Sequence, residues 1–126
     1  MANLTATSFR GFQEVLKNHR SGSNVKIGYE TYISRMFDNQ DEVWVWHYTT
    51  VIARYKLDRS GNLFVVFKDG GYRTIATKDR LRQLMREMGY DIFQNGRGWW
   101  WNGPDNQAHE WNGEILVKVE RPAVRI

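Results

Sequence analysis

Residues 43–88 read VWVWHYTTVIARYKLDRSGNLFVVFKDGGYRTIATKDRLRQLMREM, and the fold class turns on how the hydrophobic period changes along them. Val43, Val45 and His47 alternate with Trp44, Trp46 and Tyr48, the period of two that a half-buried strand requires. After a break at Thr49-Thr50 a second strand is expected over Val51–Leu57, and Asp58-Arg59-Ser60-Gly61-Asn62 has the composition of a hairpin loop. Leu63–Phe67 is wholly apolar, as expected of a central strand covered on both faces. Lys68-Asp69-Gly70-Gly71 turns the chain, and Tyr72–Ala76 is short and strand-like. From Thr77 the period lengthens: Leu81, Leu84, Met85 and Met88 form one helical arc, with Thr77 as its expected cap, Asp79 in its first turn and Gly89 at its end.

Working outward towards the N-terminus, residues 8–20 place Phe9, Phe12, Val15 and Leu16 on one helical stripe behind a Thr7 or Ser8 cap. Lys17, His19 and Arg20 are expected in the last turn, before Ser21-Gly22-Ser23 ends the helix. Val25, Ile27 and Tyr29 then alternate with Lys26 and Gly28, and Gly28 marks a bulge or bend before Thr31–Met36. Asp38 to Glu42 is a polar turn. On the other side, Tyr90–Asn95 and Arg97–Trp101 flank Asn95-Gly96, a hairpin signal; Asn102–Gln107 is a loop, and Ile115–Val119 is a last strand ended by Pro122. The order predicts an α+β domain with a twisted, mainly antiparallel sheet of about six to eight strands, an N-terminal helix and one internal helix. One domain over 1–126 suffices, with 123–126 fraying.

The positive charge is local. Residues 43–89 hold nine Lys and Arg against four Asp and Glu, whereas 1–42 balance and 90–126 sum to −1. Cysteine is absent, which removes disulfides, thiolate zinc sites and a cysteine nucleophile. The N-terminus MANLTATSFRGF has no cationic segment followed by an apolar one, and no run approaches a membrane span, so a cytoplasmic protein with no membrane partner is expected.

Catalytic constellations are missing from the sequence. His19, His47 and His109 stand far apart, and His109-Glu110 opens like a zincin motif without a second histidine to complete it. No nucleophile elbow, P-loop or dinucleotide fingerprint occurs, and Glu114 and Lys118 are wrongly spaced for a nuclease core. We expect no enzyme, no metal and no cofactor, and a structural role for His47.

Cations interleaved with rings are what stands out. Trp44, Trp46, Arg54, Tyr55 and Lys56 lie in the strand region; Arg73, then Lys78, Arg82 and Arg86 at i, i+4 and i+8, line the helix; Arg97 precedes Trp99, Trp100 and Trp101. Rings that stack on bases and cations that follow phosphates are the parts of a single-strand-binding surface. Trp44 and Trp46 are expected in the core beneath the helices, since an aromatic face of an antiparallel sheet is usually the buried one. The expected contact residues are consequently Arg73, Lys78, Arg82, Arg86 and Arg97, with Trp99 or Trp100 stacking. The alternative partner is a protein captured through the aromatic hairpin, with a homodimer admitted.

Gly28–Tyr32, His47–Ile52 and above all Gly70–Leu81 (GGYRTIATKDRL) resemble a family of small proteins carried by bacteriophages and plasmids. Its members share a G-W-x-T-x-T-T-K-x-R run that closes a sheet and opens a helix; Thr74, Thr77, Lys78 and Arg80 match it, while Tyr72 replaces the Trp and Ala76 the first paired Thr. The family brings no activity or catalytic residues to carry over. The resemblance implies an accessory protein of a phage or mobile element in the cytoplasm of a bacterial host cell, and makes a host protein, for example a bacterial defence protein that it blocks, the alternative to nucleic acid as partner; the motif residues themselves read as a structural corner.

Overall fold

The computed structural model describes residues 3–20, 22–36 and 41–119; the expected fraying at 123–126 and most of the polar turn at 38–42 lie outside them. Helix α1 (Phe9–Leu16) precedes strands β1 (Val25–Gly28), β2 (Thr31–Arg35), β3 (Glu42–His47), β4 (Thr50–Leu57) and β5 (Leu63–Lys68). Helix α2 (Ile75–Arg86) follows, then β6 (Asp91–Asn95), β7 (Gly98–Asn102), β8 (Ala108–Glu110) and β9 (Glu114–Val119). The α+β architecture is the expected one, but the strands divide between two antiparallel sheets: six in the order β1-β2-β3-β4-β5-β9, and three in the order β6-β7-β8.

Both helices are shifted from their sequence-based bounds. Ser8 caps α1, its hydroxyl accepting from Gly11 N at 3.0 Å, but the helix stops at Leu16, where the His19 amide bonds back to the Leu16 carbonyl at 2.9 Å in a tightened final turn. Lys17, His19 and Arg20 thus follow the helix rather than finishing it. In α2 the cap is Thr74, not Thr77: its backbone is extended at ψ 161°, its hydroxyl accepts from Thr77 N at 3.1 Å, and Thr77 is buried in the first turn. Ile75 and Ala76 are consequently helical, and the short strand expected over Tyr72–Ala76 does not form.

The register decides which sheet face is covered. Ile33, Val45, Ala53 and Phe67 align across β2 to β5, all buried, and Tyr55 from the same face stacks on Phe9 and meets Phe12 edge-on. Leu81, Leu84 and Met85 of α2 complete this core, joined by Ile92, Trp99 and Trp111 from beyond the helix. Trp44 and Trp46 therefore lie on the opposite face, half-buried, contrary to expectation. Period two establishes that two faces exist without saying which one the helices cover. In β5, likewise, only Leu63, Val65 and Phe67 are buried, whereas Phe64 and Val66 belong to the uncovered face.

Turn chemistry fixes the corners. Register slips between β1 and β2 at Gly28, where a Cβ would approach Leu4 Cδ2 to 2.6 Å, and Ile52 is the extra residue between the Val45–Ala53 and Trp46–Val51 pairs. Asn95 pairs with Gly98, so the β6–β7 loop is Gly96-Arg97, with Gly96 at φ 65°, one residue later than Asn95-Gly96 suggests. Strand β8, which follows the expected Asn102–Gln107 loop and is not expected as a strand, pairs with β7.

Candidate functional site

The seven sequence-derived contact residues lie in the loop before α2 (Arg73), on α2 and on the neighbouring hairpin, where most are engaged within the protein. The α2 stripe faces β6: Lys78 Nζ donates to Gln94 Oε1 at 3.1 Å, and Arg82 Nε and Arg86 Nε reach the same Asp91 Oδ1 at 3.0 and 3.3 Å. Burial works against ionisation of Asp91, but the hydrogen bonds from Arg86 and Arg82 outweigh it and hold the carboxyl below the ordinary aspartate value. Arg73 is tied to Asp69 Oδ2 at 3.2 Å and to the Trp111 carbonyl at 3.2 Å. Trp99 is buried, with the Arg73 guanidinium 6.0 Å and the Lys78 ammonium 5.7 Å from its ring centre. Trp101 is sandwiched between Tyr90 and His109, leaving Trp100 half-buried and Arg97 exposed in the turn.

The motif that carries the family resemblance is a corner. Arg80, 3% exposed, donates from Nε to Thr31 Oγ1 at 2.9 Å and from Nη1 to Asp79 Oδ2 at 2.9 Å, binding α2 to the β1–β2 turn. His47 lies beside it, its Nδ1 3.4 Å from Thr31 Oγ1; burial, then the Arg80 charge, push its pKa below the usual histidine value. A cavity of about 420 Å³ opens nearby, lined by His47, Tyr48, Thr50, Asp69, Tyr72 and Thr77 among others. Tyr48 adopts φ 54°, unusual for a bulky residue, and its amide donates to the Glu30 carbonyl at 2.7 Å. That conformation holds its ring outward, edge-on to the exposed Tyr29.

A different concentration of rings and cations lies on the uncovered face of the six-stranded sheet. The cross-strand register sets them in three rows: Lys26, Tyr32 and Trp46; then Ser34, Trp44, Arg54, Val66 and Leu116; then Glu42, Lys56, Phe64 and Lys118. The indoles of Trp44 and Trp46 are 5.9 Å apart, and the Arg54 guanidinium sits 4.4 Å from the Trp44 ring centre. Their polar edges are tied down within the sheet, Trp44 Nε1 to Glu42 Oε2 at 2.8 Å and Trp46 Nε1 to Ser34 Oγ at 3.1 Å. Lys118 stands 5.7 Å from the Phe64 ring centre. The sequence contained this signal in Trp44, Trp46, Arg54 and Lys56; what it lacked was the placement of both helices on the other side.

Among the described residues, no group of three His, Cys, Asp or Glu side chains could hold a metal ion, and no helix is long and apolar enough to cross a membrane. The family model for the Kyanoviridae Gp96 protein matches residues 11–118. The chain belongs to this family of phage proteins, which meets the phage part of the resemblance read from its motifs. No curated protein and no solved structure matches it.

Proposed function

We propose that this member of the Kyanoviridae Gp96 family binds single-stranded nucleic acid on the open face of its six-stranded sheet. The observation that carries the reading is the row structure of that face, where Trp44 and Trp46 stand side by side and Arg54, Lys56, Lys26 and Lys118 flank the rings. A nucleic-acid strand laid over a sheet needs stacking surfaces at base spacing and cations beside them for phosphates; a duplex, whose bases are already stacked on one another, gains only the second. With its N–H group bonded to Ser34 within the sheet, the Trp46 indole presents ring surface rather than a donor, which suits stacking without base readout. This reading sets the contact surface apart from Lys78, Arg82 and Arg86, whose side chains are engaged with Gln94 and Asp91.

Fluorescence anisotropy with labelled single-stranded and duplex DNA and RNA tests the reading. Single strands are expected to bind more tightly than duplex, with an affinity that falls as salt rises. Trp46→Ala should weaken binding by about 1–3 kcal/mol, the range for loss of one stacking ring. No binding at low salt, or binding indifferent to Trp44→Ala and Trp46→Ala, would overturn it.

The second reading, capture of a host protein, draws on the exposed Tyr48 and Tyr72, which line the cavity, and on the exposed Tyr29, whose ring meets Tyr48 edge-on, rather than on the β6–β7 hairpin. A complex made there should resist salt and be lost in Tyr48→Ala and Tyr72→Ala.

A further inference from the structure

The edges of the six-stranded sheet are treated differently. At β1 the N-terminal segment covers the edge, Thr5 N donating to the Ile27 carbonyl at 2.8 Å and Thr5 Oγ1 to the same oxygen at 3.3 Å. At β9 no covering segment is present among the described residues: the strand pairs with β5 alone, over six residues in unbroken register. A regular, unbulged edge is a template for another strand, and natural edges of this kind are usually shortened, kinked or covered. Leu116, in the middle of β9, is 65% exposed on the open face.

The sequence of that edge is self-complementary. Residues 114–118 read Glu-Ile-Leu-Val-Lys, so an antiparallel copy related by a two-fold axis at Leu116 sets Glu114 opposite Lys118 of the second chain, and Lys118 opposite its Glu114. Leu116 then faces its own counterpart, and Ile115 faces Val117 on the covered side. A shift of register by one residue would turn every side chain to the wrong face, and a shift by two would lose both ion pairs and set Leu116 opposite Glu114 or Lys118.

We infer that β9 is a homodimer edge, pairing antiparallel with β9 of a second copy about Leu116 to continue the sheet across both chains. The pairing satisfies the backbone groups of the outer edge, covers the Leu116 side chain and forms two Glu114–Lys118 pairs by symmetry. It also places the two open faces on one continuous surface, although it stands or falls independently of what that surface binds.

Sedimentation equilibrium of the full chain over a micromolar concentration series, with circular dichroism to verify folding, tests the inference. A concentration-dependent dimer is expected. Lys118→Glu sets carboxylates opposite each other twice and should weaken it about tenfold; Glu114→Lys should do the same, and the double exchange Glu114→Lys/Lys118→Glu should restore it. Leu116→Lys should abolish it. A monomer at every concentration, a dimer unmoved by the single exchanges, or a double exchange no tighter than the singles would each overturn the pairing.

Discussion

Arg80 Nε donates to Thr31 Oγ1 at 2.9 Å across 49 residues of sequence, and both side chains are buried. The Thr31 hydroxyl in turn donates to the Tyr29 carbonyl at 2.8 Å, so the guanidinium holds the β1–β2 turn against the first turns of α2. A buried cation is stable only while its hydrogen bonds are made, and removing either partner exposes that dependence. Thr31→Val, which keeps the shape and deletes the acceptor, should cost about 1–3 kcal/mol in urea denaturation. Arg80→Ala should cost about 3–5 kcal/mol, through lost bonds and lost packing of its stem. A double variant less destabilised than the sum would identify the coupling; strict additivity would deny it.

The phenol of Tyr55 invites the opposite change. Its ring is at the centre of the core against Phe9, Phe12 and Phe67, yet among the described residues its hydroxyl has no hydrogen-bond partner. Burial, then the Glu87 charge, raise its pKa far above the ordinary tyrosine value, which keeps it neutral throughout the accessible pH range. Tyr55→Phe retains every ring contact and deletes an unsatisfied polar group, so the variant should be more stable by about 1 kcal/mol or more. A lower melting temperature would mean that the hydroxyl is satisfied in solution.

These two positions show what sequence could and could not supply. The alternation in Val43–Tyr48 and the arc of Leu81, Leu84 and Met85 were enough for strands, helix and class, because both periods are local properties of the chain. Choosing between Val43–Val45 and Trp44–Trp46 as the buried side was not local, since it depends on where Phe9 and Phe12 arrive from 30 or more residues away. The setting of the expected site residues was hidden for the same reason. Lys78, Arg82 and Arg86 form a visible basic stripe, but Asp91 and Gln94, which face it, come from a strand whose docking on α2 no periodicity announces. Strand β8, three residues long, has too few alternations to register at all.

Asp91 therefore separates structural from functional cations. Asp91→Asn removes the shared partner of Arg82 and Arg86 and should cost roughly 1 kcal/mol, modest because all three groups are partly exposed. The native carboxyl is held below its ordinary value of 3.8, so its contribution is present above that pH and is lost as pH falls through the folded value. Arg82→Ala and Arg86→Ala should leave affinity for single strands within about twofold of the parent chain, since the proposed phosphate contact on the open face does not involve them. A large loss of binding in both would return the interface to the helix stripe.

His47 gives a pH dependence in a different window. Its folded pKa is lowered, first by burial and then by Arg80, while the Glu30 backbone carbonyl and carboxylate pull the other way. Between the folded value and the ordinary 6.5, the unfolded chain binds a proton that the folded chain does not. Stability must then be flat above that upper limit, decline as pH falls below it, and level off once the folded value is passed. Replacing the ring with His47→Gln deletes the titration and should flatten this limb of a urea-midpoint profile, leaving the Asp91 limb at lower pH in place. An unchanged decline below pH 6.5 in His47→Gln would show that His47 does not cause it.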